Sequence, residues 1–195
     1  MLDRKSFWYL RHGETAWNRQ GLSQGRTDIP LNETGIAQAH AAGSVLHKES
    51  PGVLPVARIV SSPLSRALRT AEIAASYLQT DGRAPVITTD KDLEEVCFGE
   101  QEGQPMGDWY DDWVAGTFTP PGAENFAELR ARAVAAVNRA TQGEGTVLIV
   151  AHGALFRAIR SAMGLVPNVR LPNAVPLTAV PPVQGEAEWT LTVFS

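Results

Sequence analysis

Tyr9-Leu10-Arg11-His12-Gly13-Glu14-Thr15 near the start of the chain and Ile149-Val150-Ala151-His152-Gly153-Ala154 near its end share one design, an apolar, strand-like run that stops at a histidine followed by glycine. In an open α/β sheet the carboxyl ends of the strands border the ligand crevice, and glycine there lets backbone amides approach a ligand closely. One histidine in such a place is ordinarily a packing or surface residue. Two in the same local setting point to a site built from both strand ends. The other two histidines, His40 and His47, lack that setting and read as structural or solvated.

Working outward, residues 5–10 read as an aromatic strand, and 57–61 and 146–151 as short apolar strands of the kind buried on both faces of a parallel sheet. Helical patterns lie between them. Residues 33–46 follow an Asn32 cap, and 63–78 have Ser62 as cap with Pro63 at the first helical position. Residues 124–140 and 153–163 supply two more helices. Trp189, Leu191 and Val193 alternate with polar neighbours as in a half-buried edge strand, and five prolines between 164 and 185 predict an extended loop with room for one short strand. This alternation predicts a single three-layer α/β domain over residues 1–195, with a mostly parallel central sheet, helices on both faces and one antiparallel edge strand.

Residues 98–121 stand apart, with Pro105, Trp109, Tyr110, Trp113, Phe118 and a Pro120-Pro121-Gly122 break. They read as an insertion over the site. Trp109 and Trp113 are four apart and share a helix face, which serves either packing against the main domain or a lid.

The chain has 195 residues, 44% hydrophobic and 19% charged, enough for one domain with its own core. No apolar run approaches a membrane span. A net charge of −4 argues against nucleic acid or an anionic membrane as partner, so any anion site must be a local basic pocket. The first residues lack the basic flank and apolar core of a secretory signal, and the single cysteine, Cys97, cannot form an internal disulfide. Both favour a cytoplasmic protein. Cys97 itself reads as a small buried residue between Val96 and Phe98. Nothing in the patterning specifies an oligomeric state.

Arg11-His12-Gly13-Glu14-Thr15, with Asn18 three residues on, resembles the signature of the histidine phosphatase superfamily, also called phosphoglycerate-mutase-like. The match continues in order through Gly25 to Asp28 and Leu31 to Gly35, then Ser61-Ser62-Pro63-Leu64-Ser65-Arg66-Ala67, then Leu93-Glu94-Glu95 running to Gly99, and Ala151-His152-Gly153. Together these span most of the chain. The resemblance implies a small-molecule phosphomonoester substrate, a covalent phosphohistidine at His12 and no metal or other cofactor.

The residue chemistry fits that implication. Arg11 and Arg66 can each fork two donors onto phosphoryl oxygens, and Arg66 also falls near a helix amino end, which favours anions. Arg69, one turn further, reads as a surface residue. A neutral His12 can attack phosphorus if a backbone carbonyl orients its other ring nitrogen. His152 would donate to a phosphoryl oxygen, helped by the Gly153 and Ala154 amides. The general acid is Glu94 or Glu95, and the family's spacing of four residues before a glycine selects Glu95, ahead of Gly99. Neighbours on an extended segment face opposite ways, so only one points inward, and burial beside phosphate oxygens would raise its proton affinity. The resemblance makes Asn18, and after it Gln24, phosphate donors, whereas Glu14 and Thr15 hold the loop. A zinc site is disfavoured, because paired arginines repel a cation and no His-Glu-x-x-His helix occurs.

Phosphoglycerate mutases of this fold are longer, with basic segments for further anionic groups. Here residues 92–129 contain no lysine or arginine. That favours a phosphatase over a cofactor-dependent mutase. It also predicts monoesters with neutral, cationic or apolar leaving portions, with only Arg19 or Arg26 available for a second anion. A non-catalytic phospholigand-binding module would lack the nucleophile or the acid, and both His12 and Glu95 are present.

Overall fold

The computed structural model describes residues 1–79, 82–183 and 188–195. In chain order its elements are β1 (Phe7–Arg11), α1 (Ala16–Gln20), α2 (Glu33–Val53), β2 (Val56–Ser61), α3 (Ser65–Tyr77), β3 (Val86–Thr89), α4 (Trp109–Ala115), α5 (Phe126–Thr141), β4 (Thr146–Ala151), α6 (Gly153–Ala162), β5 (Leu177–Val180) and β6 (Thr190–Val193). The sheet order is β3-β2-β4-β1-β5-β6. The first four strands pair in parallel, and β5 and β6 add two antiparallel pairings at one side.

Side chains alternate across a strand, and β1 uses the alternation to build two cores at once. Phe7 and Tyr9 enter a cluster with Val147, Ile149 and residues of α5 and α6, including Leu129, Ala133, Leu155 and Phe156. Trp8 and Leu10 enter another with Leu148, Val150, Ala42 and Leu46 of α2 and Ala67, Ala71 and Ala74 of α3. Both faces of the sheet are therefore covered, which is why the central strands read as continuous apolar runs. Each large apolar side chain buried there contributes about 1.5–3 kcal/mol.

The structure departs from the expectation at several elements. Helix α3 starts at Ser65, not at Pro63, and its first turn takes no bond from Ser62. Asp28, arriving from a distant loop, accepts from Ser65 N and Ser65 Oγ at 2.8 Å instead. Helix α2 runs seven residues past Leu46, through a stretch too polar to carry apolar periodicity. Strand β3 has no sequence counterpart above because it is short, threonine-rich and largely exposed. At the other edge Trp189 and Leu191 pack on the core, but Val193 is 57% exposed. The proline-rich loop carries one strand, β5; its last two residues, Gln184 and Gly185, lie outside the described residues. Cys97 is half-buried: its neighbours Val96 and Phe98 are buried, whereas its own Sγ turns to the Gly122 carbonyl.

Residues 98–121 are bolted to the loop after α1. Ser23 N donates to Gln104 O at 2.8 Å, Gly103 N to Ser23 O at 2.9 Å and Met106 N to Gly21 O at 3.0 Å. Trp109 and Trp113 both meet the Phe98 ring, with centroids at 5.4 and 5.5 Å. Trp113 is fully buried, so the aromatic pair packs against the domain, while Phe98, Met106 and Tyr110 form a wall of the site.

Candidate active site

Strands β1 and β4 are parallel neighbours with Arg11 opposite Ala151. The next residue on each is histidine, and the register sets the two rings side by side with centroids 5.2 Å apart. Gly13 is required by this turn: a Cβ there would lie 2.3 Å from Gly35 O, so the loop after β1 can only nest against the start of α2 without one.

His12 is buried, and its Nδ1 lies 2.7 Å from Gly13 O. A carbonyl can only accept, so Nδ1 carries the hydrogen and Nε2 is left as the nucleophilic lone pair. Burial, then the positive fields of Arg66 and Arg11, push the His12 pKa well below its usual value. The ring is neutral at neutral pH.

His152 is fully buried and neutral for the same reasons, burial first and Arg66 next. Tyr9, buried one strand away, donates to His152 O at 2.7 Å and accepts from His152 N at 3.1 Å, fixing the backbone at that point. His152 Nε2 lies 2.7 Å from Ser62 Oγ, and Nδ1 is buried without a partner among the described residues.

The two arginines differ in what they offer. Arg11 donates through Nη1 to Leu171 O at 2.7 Å, and its buried Nε has no partner among the described residues, so the Nε–Nη2 edge remains to meet an anion. Gly153 makes room for it, since a Cβ there would sit 3.3 Å from Arg11 Nε. Arg66 is fully buried and spends its fork on the neighbouring loop, donating to Thr27 O at 3.0 Å and to Gly25 O at 2.7 Å. The expected two-donor fork of Arg66 onto a phosphoryl group is thus taken by backbone carbonyls, and with the Gln24 amide oxygen facing Nε and Nη1 a single Nη2 hydrogen is left over among the described residues. Burial lowers the pKa of both guanidiniums to about 10, and both stay charged at neutral pH.

Gln24 sits in the wall of the site with its amide oxygen toward Arg66 Nε at 3.0 Å and its nitrogen toward Thr15 Oγ1. Asn18 closes a capping box with Thr15, and its amide oxygen also accepts from Asn173 Nδ2 at 3.2 Å. Its own NH₂ group has no protein acceptor among the described residues. Glu14 and Thr15 hold the loop as expected, through Glu14 N to Gln38 and the Thr15 cap.

Of the two adjacent glutamates, Glu95 is buried in the site and Glu94 turns outward to Arg26 at 3.7 Å. Glu95 accepts from Val96 N at 3.1 Å and from Ala154 N and Leu155 N at 2.9 Å. The Ala154 amide is therefore committed to Glu95 and not to a phosphoryl oxygen, because the amino end of α6 faces that carboxylate. Glu95 is buried as expected, and the protein groups that meet its carboxyl oxygens are backbone amide donors.

Several positioning residues escaped the sequence. Arg132, from α5, grips Glu124 with both forks at 2.8 and 2.7 Å and donates to the carbonyls of Asp92 at 2.8 Å and Glu94 at 2.7 Å, locking the backbone that carries Glu95. Glu102, from the inserted segment, accepts from Arg26 N and Thr27 N at 2.9 Å and from Thr27 Oγ1, holding the loop that Arg66 grips. Asn173 donates to His12 O at 3.0 Å. No local pattern marks such long-range partners. His40 and His47 are exposed and Arg69 pairs with Glu72, all away from the site.

An inner cavity of about 60 Å³ is bordered by Arg11, His12, Glu95 and Tyr110. It adjoins an outer one of about 280 Å³ that shares Arg11, Asn18, Leu22, Met106 and Arg157 and adds Arg170. These two arginines come from α6 and the proline-rich loop, so the absence of base from 92–129 does not set the charge of the mouth. Arg19 and Arg26, the expected candidates, are turned to carboxylates: Arg19 to Glu14, and Arg26 to Glu94 and Glu124. A larger groove of about 730 Å³ lies beyond Arg170, bordered by Ala41, Val45, Pro176 and Phe194, and contains neither histidine. No helix among the described residues is long and apolar enough to cross a membrane.

The chain is 40% identical over 153 residues to the uncharacterized phosphatase PhoE of Bacillus subtilis, covering 77% of this chain and 72% of that one. It is 30% identical over 167 residues to the probable phosphoglycerate mutase GpmB of Yersinia pestis, covering 80% and 73%. The structure of the mycobacterial glucosyl-3-phosphoglycerate phosphatase Rv2419c superposes with a TM-score of 0.78 at 28% identity over 97% of this chain and 98% of that one. The family model of the histidine phosphatase superfamily (branch 1) matches residues 7–181, and the chain belongs to that family.

Proposed function

We propose that the protein is a phosphomonoesterase that acts through a phosphohistidine on His12. The observation that carries this reading is the 2.7 Å bond from His12 Nδ1 to Gly13 O, which leaves a neutral Nε2 beside two buried guanidiniums. His12 Nε2 attacks phosphorus as the ester P–O bond breaks, and Glu95 gives its proton to the leaving oxygen. Arg11 meets the phosphoryl oxygens with its Nε–Nη2 edge, Arg66 adds its remaining hydrogen and its charge, and Asn18 and His152 Nδ1 donate as charge builds. Gly153 lets Arg11 stand close enough, and Gln24 steadies Arg66. In the second half, Glu95 takes a proton from water as its oxygen attacks phosphorus, the N–P bond breaks, and phosphate leaves. Neither half needs a metal.

Hydrolysis is favoured over transfer because the outer cavity opens onto the exposed Arg170 and Met106, giving water a path to the intermediate. Relatives carry both phosphatase and mutase names, and one experiment separates the outcomes. Rapid quench with labelled 4-nitrophenyl phosphate should place label on His12, and His12→Ala should keep its fold and lose turnover. Label elsewhere, or full turnover without label, would overturn the assignment; interconversion of monophosphoglycerates that depends on bisphosphoglycerate and outpaces phosphate release would make it a mutase.

A further inference from the structure

Arg157 lies one helical turn beyond Gly153 on α6, so the same face that brings Gly153 to Arg11 brings Arg157 to the mouth of the cavity. Its Nη1 donates to Tyr110 Oη at 2.9 Å with the guanidinium 4.9 Å from the ring centroid, which fixes the side chain, and its Nε is buried without a partner among the described residues. Arg170 reaches the same outer cavity from the proline-rich loop. Neither has a carboxylate at ion-pair distance among the described residues, and both are close enough to Arg11 for their charge to disfavour its protonated form. The acids nearby are engaged or turned away: Glu95 with three amides, Asp111 with Asn168 Nδ2, and Glu14, which shares the large groove with Arg170, with Arg19 and Asn32. Beside the arginines, Leu22 and Met106 give both the inner and the outer cavity an apolar stretch of wall.

We propose that Arg157 and Arg170 form a second anion subsite at the mouth of the phosphoryl pocket, so that the substrates are phosphomonoesters with a negative group on the leaving portion. The proposal rests on reading the adjoining pocket as a phosphomonoesterase site. The apolar stretch accommodates a short carbon skeleton, and the two guanidiniums, Arg157 fixed on Tyr110 and half-buried and Arg170 on the exposed side, reward an anion at its far end. This reverses the preference that the base-free 92–129 segment suggests on its own.

The test compares two substrates of one carbon skeleton, 3-phosphoglycerate and glycerol 3-phosphate, at fixed ionic strength. The ratio of their kcat/KM values should exceed ten in the native protein and fall toward one in Arg157→Gln and in Arg170→Gln; the second change is at an exposed position, so the proposal stays testable if the first impairs folding. A native ratio near one, or a ratio unmoved by both changes, overturns the subsite even if His12-dependent hydrolysis of 4-nitrophenyl phosphate stands. If instead no monoester is hydrolysed, calorimetric binding of the two compounds to His12→Ala reads the subsite alone. Tighter binding of the carboxylate compound that needs both arginines supports it, and equal binding overturns it.

Discussion

His152 Nε2 lies 2.7 Å from Ser62 Oγ, and that hydroxyl already accepts the Leu64 N–H at 3.3 Å. The serine's own proton has no acceptor other than Nε2 among the described residues, so it is directed there, and the His152 ring carries its hydrogen on Nδ1. Ser62, read from the sequence as a helix cap, sets a tautomer instead. Ser62→Ala should reduce kcat by up to about tenfold, the worth of one buried hydrogen bond, with little change in KM. ¹⁵N spectra of His152 should shift from one tautomer to a mixture, and Ser62→Thr should restore both. An unchanged spectrum would remove Ser62 from this role.

Glu95→Gln should slow alkyl phosphates by about a hundred- to ten-thousandfold and activated aryl phosphates far less, because only the former need a proton on the leaving oxygen. The amide NH₂ would also face one of the three backbone donors, so a loss of about 1–3 kcal/mol of stability is expected, measurable by urea unfolding. Equal losses on both substrate types, or a larger effect from Glu94→Gln, would contradict the assignment.

Arg132→Met removes the clamp on the carbonyls behind Glu95 without touching the cavity. We expect kcat on alkyl phosphates to fall about ten- to hundredfold, since hydrogen bonds from a charged group are worth about 1.5–3 kcal/mol. The loss should be smaller on aryl phosphates, as for Glu95→Gln. A purely structural role would lower both rates alike.

Burial holds His12 and His152 neutral, with both pKa values below the ordinary value of about 6.5. Below that pH the unfolded chain binds protons that the folded chain refuses, so stability rises with pH through this window. The contribution is fully present above about pH 7 and is lost as pH falls through 6.5 toward the folded values. Urea midpoints in phosphate-free buffer should therefore drop between pH 7.5 and 5.5, and the drop should shrink in a His12→Gln, His152→Gln protein. A native midpoint that is flat across this range would refute the account.

Local chemistry determined much about this protein before any fold was in hand. The two histidine-glycine stretches, the apolar runs of β1, β2 and β4 and the Asn32 cap follow from periodicity and backbone preference, which act over a few residues. That Glu95 rather than Glu94 carries the acid role follows from the family spacing, whereas its burial and the outward turn of Glu94 to Arg26 lie in a segment outside any strand. Contacts between residues far apart in sequence were decided only by the tertiary structure. Asp28 rather than Ser62 caps α3; Arg132 reaches back some forty residues to hold Glu95 in place. Arg157 and Arg170 meet at a mouth that the inserted segment alone would have left without positive charge. A side chain's hydrogen-bond partner and the sign of a pocket depend on which strands are neighbours and in what register, and that is settled by packing both faces of one sheet.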